Sequence, residues 1–428
     1  MRSLLILIIV PLAGADEPVT PEMVRQLMQR VAQLEHRVSF LEDKLRETRL
    51  ESTSLRPAAE SAVLEPPHER GPNAGAVQAP QAAAPKAPVQ APELHSHPLA
   101  PNLKIAGFSD FNFSASTLPG ARSGFSEGQF TLHMTSALSS RVNFFSEVTF
   151  TARTDAGTGS PAATGFNAEV ERVSIRFDQS DYFKVSFGRY HTPVNWWNTA
   201  YHHGQWLQTT ISRPEMTQFG GRFIPVHFVG AMVEGALPAR GLNLNYNFGL
   251  GNGRGSVISR GGDAGDENNN RAWLVNLFVK PNRFYGLQAG GAIYRDKVPL
   301  GGRMFEEWIQ SAHIVWAKEN PEFIAEFANV SHREAGGTAR SHSQAWYMQL
   351  GYRLPVHQQQ FKPYYRFEYI HVPVSDTVFR QVQGLAASVL GLRYDISTFA
   401  ALKLEYRNLR RPGISRFHAA LASTSFTF

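Results

Sequence analysis

The sequence predicts an all-β transmembrane protein: a closed antiparallel β-barrel of about 16 strands, preceded by a signal peptide, a coiled-coil helix and a Pro/Ala-rich linker. Over residues 102–428, short segments of alternating apolar and polar residues follow one another, which is the pattern of strands with one face in lipid. Short and long connections alternate between these segments, as in bacterial outer-membrane barrels. The single long apolar run lies at the N-terminus, so we expect no membrane-spanning helix in the mature chain.

The composition narrows the chemistry available to this chain. Its 428 residues include no cysteine, which excludes disulfides, thiolate metal sites and a lipid-modified N-terminal cysteine. The formal net charge is +6, but Lys and Arg are spread singly along the strands rather than clustered, so nucleic acid is not an expected partner. The expected partners are outer-membrane lipid and small hydrophilic or anionic solutes, and no cofactor is predicted.

Residues 1–15 are predicted to be a signal peptide. Arg2 is its basic start, residues 4–12 are apolar, and the small residues at 13–15 form the cleavage site. The apolar stretch is too short to cross a bilayer as a helix. The mature chain is therefore expected to be exported and to begin at Asp16.

Residues 16–50 are predicted to form a coiled-coil helix. Seven apolar residues from Val24 to Leu45 are spaced alternately by three and four positions, which is the heptad pattern. Val at a with Leu at d favours a dimer, whereas the Arg-apolar-x-x-apolar-Glu pattern at 30–35 and 37–42 is typical of short trimeric coiled coils. The coiled coil alone leaves dimer and trimer open, and the barrel interpretation favours a homotrimer.

Residues 51–101 are predicted to be a Pro/Ala-rich disordered linker. Ten prolines with many alanines between them make the segment extended or disordered, because such a composition cannot bury a core. The linker and the coiled coil are expected to lie in the periplasm, where peptidoglycan is a candidate partner.

Residues 102–428 are predicted to be the outer-membrane barrel. Leu402, Leu404 and Tyr406 share one face of a strand, and Lys403 and Glu405 share the other. An even strand count puts both barrel ends on the side of the short turns, the periplasm, and the terminal phenylalanine resembles the insertion signal of outer-membrane barrels. The predicted strands span 103–115, 124–138, 141–153, 168–178, 181–190, 218–236, 241–251, 271–280, 284–296, 304–318, 322–333, 342–354, 361–371, 385–396, 399–410 and 416–428.

The longest interruption of the strand pattern runs from His191 to Gln218. It holds three of the seven tryptophans and three of the fifteen histidines. A loop of this length is either functional or disordered, and its aromatic content argues against disorder. We therefore expect it to fold into the lumen and narrow the pore. The predicted constriction residues are His191, Trp196, Trp197, Tyr201, His202, His203 and Arg213, and the predicted basic residues of the pore wall are Arg172, Arg176, Arg366, Arg393, Lys403 and Arg407.

Two short motifs carry a resemblance to a known family. Residues 185–193 (VSFGRYHTP) resemble the Gly-[Arg/Gln]-x-x-x-Pro strand exit of the phosphate-selective porin family, and residues 245–253 (NYNFGLGNG) resemble that family's strand ending in Asn-Gly. The inward loop also has the position of the third loop in 16-stranded general porins. The resemblance covers residues 103–428. It implies a porin, but phosphate selectivity is not carried over, because residues 191–217 contain no lysine and one arginine, Arg213; whether phosphate is preferred is left open.

These features predict an outer-membrane porin, a passive diffusion channel with a weak anion preference, and not an enzyme. Protonation of His191, His202 and His203 is expected to strengthen that preference as pH falls. One alternative is a structural protein that tethers the outer membrane to the cell wall through its coiled coil. Another is a hydrolase, because residues 124–128 (GFSEG) match the nucleophile-elbow motif, although strand alternation rather than a helix follows.

The sequence assigns no metal site. His202-His203 with His191 have metal-ligand chemistry, but adjacent histidines in an extended segment point apart, so a pore-lining role is preferred. The acidic, Asn-rich loop at 263–270 is expected to be solvated, and calcium binding there is left open.

Overall fold

The computed structural model describes residues 102–152, 166–201, 203–219, 222–259, 262–263, 265–356 and 359–428. The predicted signal peptide, coiled coil and linker lie outside the described residues. No helix in the described part of the chain is long and apolar enough to cross a membrane.

The described chain forms a closed barrel of sixteen antiparallel strands, as predicted, in which each strand pairs with its neighbours in the sequence and β1 pairs with β16. Closure pairs every strand edge, which a bilayer requires because it offers no water to backbone groups. The strands are β1 (Asn102–Ser116), β2 (Gly124–Ala137), β3 (Val142–Ala152), β4 (Phe166–Ser180), β5 (Phe183–His191), β6 (His227–Leu237), β7 (Leu244–Asn252), β8 (Ala272–Val279), β9 (Leu287–Leu300), β10 (Arg303–Ala317), β11 (Glu322–Glu334), β12 (Arg340–Gly351), β13 (Phe361–His371), β14 (Leu385–Ser397), β15 (Ala400–Arg411) and β16 (Ile414–Thr427).

The two faces of the strands have opposite polarity. In β15, Leu404 and Tyr406 lie on the outer surface with about half of their side-chain area exposed (52% and 48%). Lys403 and Glu405, which alternate with these two residues along the strand, point inward and are buried. This distribution is the reverse of a soluble protein's, and it is the one expected of a barrel whose outer surface contacts lipid and whose interior is polar.

The barrel closes at the end of the chain. The Gly107 N–H donates to the Phe428 carbonyl at 2.9 Å, and the Phe428 N–H donates back at 3.1 Å. The Phe428 ring lies directly over Gly107, where an added Cβ would come within 2.4 Å of it. Phe428 also stacks on Phe130 of β2 with ring centroids 5.8 Å apart. The terminal phenylalanine thus joins three strands at the seam.

The two barrel ends differ, though less than the sequence predicted. The turn end carries residues 102 and 428 and the turns that follow the even-numbered strands. The opposite end, the loop end, carries the loops that follow the odd-numbered strands. Two loop-end connections expected to be long, 297–303 and 411–415, are two-residue hairpins at 301–302 and 412–413. The prediction was wrong there because Gly301 and Gly302 both adopt positive φ (56° and 76°), which lets β9 and β10 continue to a tight turn.

The sixth strand was predicted from residue 218 but begins at His227. The described residues 218–219 and 222–226 instead extend the inward loop, which we call loop L3 (residues 192–226). The adjacent residues Phe223 and Ile224 are both buried, whereas successive residues of a strand point to opposite faces, and the ring centroids of Phe223 and Phe379 lie 5.4 Å apart. Pro225 has no N–H to donate to a sheet. Loop L3 contains one short helix, α1 (Trp197–Ala200), and a 3-10 turn at Glu215–Thr217; further 3-10 turns lie at Ala239–Gly241 and Asn282–Phe284.

Candidate functional site

Loop L3 leaves the wall between β5 and β6 and folds into the lumen. Its ends are held together where the Thr192 N–H donates to the Val226 carbonyl at 2.8 Å. The Asn198 amide donates to the carbonyls of Thr192 and Pro225 at 2.7 and 3.3 Å. Trp197 is completely buried. L3 is therefore a folded element that packs apolar side chains inside the barrel, and its aromatic content serves this packing.

Helix α1 is attached to the far wall through one carboxylate. The N–H groups of Trp196 and Trp197 donate to Glu326 Oε1 at 2.5 and 2.9 Å, and the Tyr347 hydroxyl donates to Glu326 Oε2 at 2.9 Å. A carboxylate here satisfies backbone donors that have no partner within the first helical turn. The Trp197 ring packs edge-on against Tyr201 and Tyr347. Of the predicted constriction aromatics, Trp196 and Tyr201 are partly exposed and Trp197 is not.

The distal part of L3 lies against β13–β15, where cations bind its carbonyl groups. Lys403 Nζ donates to the carbonyl of Gln205 and to those of Gln208 and Thr210, the last two at 2.6 and 3.4 Å. Arg393 Nη1 donates to the carbonyls of Trp206 and Gln208 at 2.7 and 3.0 Å. This part of L3 belongs to no sheet, so its buried backbone groups need partners from the wall.

Carboxylates and a third cation complete the same interface. Arg366 donates to the Ser212 carbonyl at 2.8 Å and to its hydroxyl at 2.7 Å. Glu405 accepts the N–H groups of Ile211 and Ser212 at 2.9 and 3.1 Å. Cations thus meet carbonyls and a carboxylate meets N–H groups, in strong charge-assisted bonds. We call this set of contacts the L3 clamp: Arg366, Arg393, Lys403 and Glu405 with L3 residues 206–213.

The six predicted basic wall residues fall into two groups. Arg366, Arg393 and Lys403 are buried in the L3 clamp. Arg172 and Arg176 lie on β4 with 25% and 40% of their side chains exposed, and Arg407 retains 15%. Sequence alternation places all six inside the barrel, but it does not distinguish a cation that binds protein backbone from one that faces the open lumen.

The charged and titratable residues of the predicted constriction are largely buried. His191 and His203 keep about 5% of their surface, and His202 lies outside the described residues. Arg213 donates to the Thr217 carbonyl at 3.0 and 2.8 Å and lies 4.0 Å over the Phe219 ring. Burial lowers the pKa of Arg213 to about 9, so it remains charged at neutral pH. This geometry does not favour the expected ring of exposed histidines at the narrowest point.

The structure brings His191 and His203 close to carboxylates of β3 and β4. His203 Nε2 lies 3.2 Å from Glu171 Oε1, and His227 Nε2 lies 2.7 Å from Glu171 Oε2. His191 Nε2 lies 3.7 Å from Glu147 Oε2. The repeated Glu at 169 and 171 was the available signal, but its inward orientation depends on a β-bulge that alternation does not reveal.

Three of the cavities that adjoin L3 or the loops have several charged lining residues. A cavity of about 680 Å³ lies at the turn end against β1–β6; its charged lining residues are Lys104, Arg172, Arg176 and Glu234. Another, of about 710 Å³, lies against β11–β14 and is lined by three cations and three carboxylates: Arg353, Lys362, Arg393, Glu319, Glu322 and Asp395. The third, of about 500 Å³, lies at the loop end, and its charged lining residues are Arg222, Arg303 and Arg380.

A buried ion network holds loop L7 (residues 372–384) at the loop end. His332 bridges Asp376 of L7 and Glu307 of β10, each at 2.9 Å, and Arg254 binds the same glutamate at 2.8 Å. Ser343 donates to Asp376 at 2.7 Å. Burial opposes ionisation of Asp376, but the hydrogen bonds from His332 and Ser343 outweigh it and lower the pKa of this carboxyl. L7 is therefore anchored by a carboxylate that is charged at neutral pH.

No family model and no curated protein matches the sequence. The structure is similar to Salmonella typhi OmpF in complex with daunomycin, with a TM-score of 0.52 and 11% identity, covering 78% of this chain and 99% of that one. It is similar to the outer membrane channel DcaP of Acinetobacter baumannii, with a TM-score of 0.52, 9% identity and coverage of 77% and 97%. It is also similar to a loop-deletion mutant of the Vibrio cholerae outer membrane protein OmpT, with a TM-score of 0.51, 13% identity and coverage of 77% and 100%. These likenesses establish an outer-membrane barrel fold.

Proposed function

We propose that this protein is an outer-membrane porin, a passive diffusion channel for small hydrophilic solutes in which L3 forms the constriction. The observation that carries the proposal is a polar-lined barrel with a long loop bound to the inside of its wall by charge-assisted hydrogen bonds. Sixteen strands enclose a lumen wide enough for water. Cavities at both the turn end and the loop end give solutes room on either side of L3.

A weak anion preference follows from the charges at those cavities. The turn-end cavity against β1–β6 has three cations and one carboxylate among its lining residues, a difference of 3 − 1 = +2. The loop-end cavity has three arginines and no acidic residue among its lining residues, or +3. A lumen lined by an excess of one sign concentrates the opposite ion, because low-dielectric walls focus the field. The balanced cavity against β11–β14 keeps the preference modest.

The proposed assembly is a homotrimer with the turn end in the periplasm. Both described termini lie at that end, so the segment 1–101 would start from the periplasmic side. One similar structure is described as a trimer form of Vibrio cholerae OmpT, at 13% identity and a TM-score of 0.50. The solute preference beyond charge, including phosphate, stays outside this proposal.

The hydrolase alternative receives little support from the fold. Ser126 of the GFSEG motif lies within β2 and pairs with Asn112 of β1. A nucleophile elbow needs a sharp strand-to-helix turn that exposes the serine, and a residue paired within a strand has no such turn. The tether alternative depends on residues 1–101 and is compatible with conduction.

Conductance of the full-length protein in planar lipid bilayers tests the proposal. We expect discrete conductance steps and, in a salt gradient, a reversal potential of the sign that indicates anion preference. Folded protein that inserts without conducting would contradict the channel function. If that protein also sedimented with peptidoglycan, the structural-tether alternative would replace it. Steps with cation preference would leave the channel intact and remove the anion preference.

A further inference from the structure

A β-bulge in β4 turns two successive side chains into the lumen beside L3. Glu147 of β3 pairs with Arg172 and Val148 pairs with Val170, so Glu171 is an extra residue with no partner in the register. Glu171 is buried. Bulges of this kind re-aim a side chain, and they are common next to functional sites.

Donor atoms from three segments of the chain meet at Glu171. Its two carboxylate oxygens lie 3.2 Å from His203 Nε2 of L3 and 2.7 Å from His227 Nε2 of β6. One potential ligand atom from each of Glu169, Glu171 and His227 lies within 4.8 Å of the other two. In a tetrahedral zinc site with bonds of 2.0–2.1 Å, neighbouring ligand atoms are ~3.3 Å apart. The distances of 3.2 and 2.7 Å from the Glu171 oxygens to His203 and His227 are near that spacing, and Glu169 lies within 4.8 Å of Glu171 and His227.

The hydrogen bond on the other side of His203 orients this ring for a cation. His203 Nδ1 lies 3.0 Å from the Gln129 Oε1 carbonyl oxygen, which accepts a hydrogen bond from it. In the neutral imidazole Nε2 then carries a lone pair, and this lone pair faces the Glu171 carboxylate. Two acceptors at 3.2 Å repel one another unless a proton or a metal ion lies between them, so this pair can hold either one. A histidine whose second nitrogen is held by a carbonyl is also the usual arrangement of a metal ligand.

We propose that Glu171, His203 and His227, with Glu169 as the fourth ligand, bind a divalent transition-metal ion. Two imidazoles and two carboxylates are a donor set that suits Zn²⁺. Because His203 belongs to L3 while the others belong to β4 and β6, the ion ties the loop to the wall opposite the L3 clamp. The site is independent of whether the barrel conducts.

Arg189 competes with the ion for His227 and Glu169, and this competition provides a specific test of the proposal. Its Nη2 donates to His227 Nδ1 at 2.8 Å and lies 3.4 Å from Glu169 Oε1. If His227 binds a metal through Nε2, its Nδ1 must carry a proton. Nδ1 can then no longer accept a hydrogen bond from Arg189. Arg189 must turn toward Asp263, whose carboxylate already lies 3.2 Å from its Nε. Removing the guanidinium should therefore strengthen metal binding, and a purely structural cluster has no reason to behave in this way.

The test is Zn²⁺ binding to untagged full-length protein, folded in detergent, treated with a chelator and then titrated with Zn²⁺ by calorimetry. We expect one Zn²⁺ per chain in the wild type. Glu171→Gln and His227→Asn should each weaken binding by tenfold or more, whereas Arg189→Gln should tighten it. Heat-modifiable mobility on gels checks that each variant is folded. Arg189→Gln, which removes no proposed ligand, keeps the test decisive if a ligand variant fails to fold.

The matched control is His313→Asn, which changes an inward-facing histidine that is hydrogen-bonded to Gln288 at 3.0 Å, outside the cluster. This variant should bind Zn²⁺ as the wild type does. Absence of binding to the wild type would overturn the proposal. So would binding that survives Glu171→Gln and His227→Asn but is lost when His95 and His97 of the predicted linker are replaced, because the ion would then lie in the linker. Weaker binding in Arg189→Gln would also contradict the site.

Discussion

The two halves of the lumen wall have similar kinds of charged residues but use them differently. On β13–β15, Arg366, Arg393 and Lys403 are buried under L3 and donate to its carbonyl groups. On β4, Arg172 and Arg176 pair with strand carboxylates and keep 25% and 40% of their side chains exposed beside a cavity. We call these the clamp wall (β11–β15) and the open wall (β1–β6).

The difference shows that the number of charges in a lumen does not measure the field that a solute meets. A cation buried against backbone carbonyls acts mainly on the loop that it holds, and its charge is compensated locally. A half-exposed cation beside water acts on mobile ions. The clamp wall is therefore expected to set the shape and rigidity of the constriction, and the open wall is expected to set its selectivity.

The largest expected effect comes from breaking the clamp wall with Lys403→Met. The substitution removes a buried cation that binds three L3 carbonyls, that of Gln205 and those of Gln208 and Thr210 at 2.6 and 3.4 Å. Removing one partner from a buried charged interaction typically costs about 3–5 kcal/mol. We expect L3 to detach in part, with higher and noisier single-channel conductance, while the barrel itself stays folded.

Arg410→Met is the matched control for Lys403→Met, because it removes a basic side chain from the same strand at an exposed position. Its conductance trace should match that of the wild type. A quiet, unchanged trace from folded Lys403→Met would mean that the clamp does not hold the constriction.

A smaller effect is expected from the open wall. The double substitution Arg172→Gln with Arg176→Gln removes two of the three cations that line the cavity against β1–β6. Two unit charges 4 Å apart in water interact with an energy of about 1 kcal/mol. We therefore expect the anion-to-cation permeability ratio to fall roughly two- to fivefold. Reversal potentials at low ionic strength measure this ratio, since salt screens the effect.

Arg141→Gln serves as the control for that double variant, because Arg141 lies exposed at a turn between β2 and β3. It should leave the reversal potential unchanged. Equal selectivity in the double variant and the wild type would mean that the open wall does not contribute to ion selection.

The smallest expected effect lies at the loop end, where Asp376→Asn weakens the anchor of L7. The variant loses the charge that binds His332 and Ser343, which is worth about 1–3 kcal/mol for a buried hydrogen-bonded group. We expect faster trypsin cleavage after the exposed Arg380 in the same loop, with unchanged conductance. Cleavage after the exposed Arg271 of the neighbouring connection is the internal reference.

The same anchor has a defined pH dependence. The pKa of Asp376 is lowered in the folded state, so its stabilising contribution is complete above the unfolded value of ~3.9. It is lost as pH falls through the lower folded-state pKa. L7 of the wild type should therefore stay protected from an acid-active protease at pH 5 and lose protection only below about pH 4. Loss of protection already at pH 6 would show that another group controls the loop.

The strand count and the barrel closure were predictable because lipid imposes a strict rule on every strand. Leu404 and Tyr406 must face outward and Lys403 and Glu405 inward, and this alternation is local in the sequence. The errors occurred where alternation stops being informative. Phe223 and Ile224 are apolar like strand residues but are both buried in the loop, and Gly301-Gly302 shortens a connection that was expected to be long.

The sequence by itself determined a sixteen-stranded barrel, the polarity of its two faces and the existence of an aromatic inward loop. The tertiary structure alone decided which lumen charges hold that loop and which face a cavity, because those contacts join residues up to 198 positions apart. It also decided the convergence of Glu171, His203 and His227, which depends on one extra residue in the register of β4. Local periodicity predicts which face of a strand a residue occupies. Contacts across the lumen depend on the position of L3 in the folded barrel.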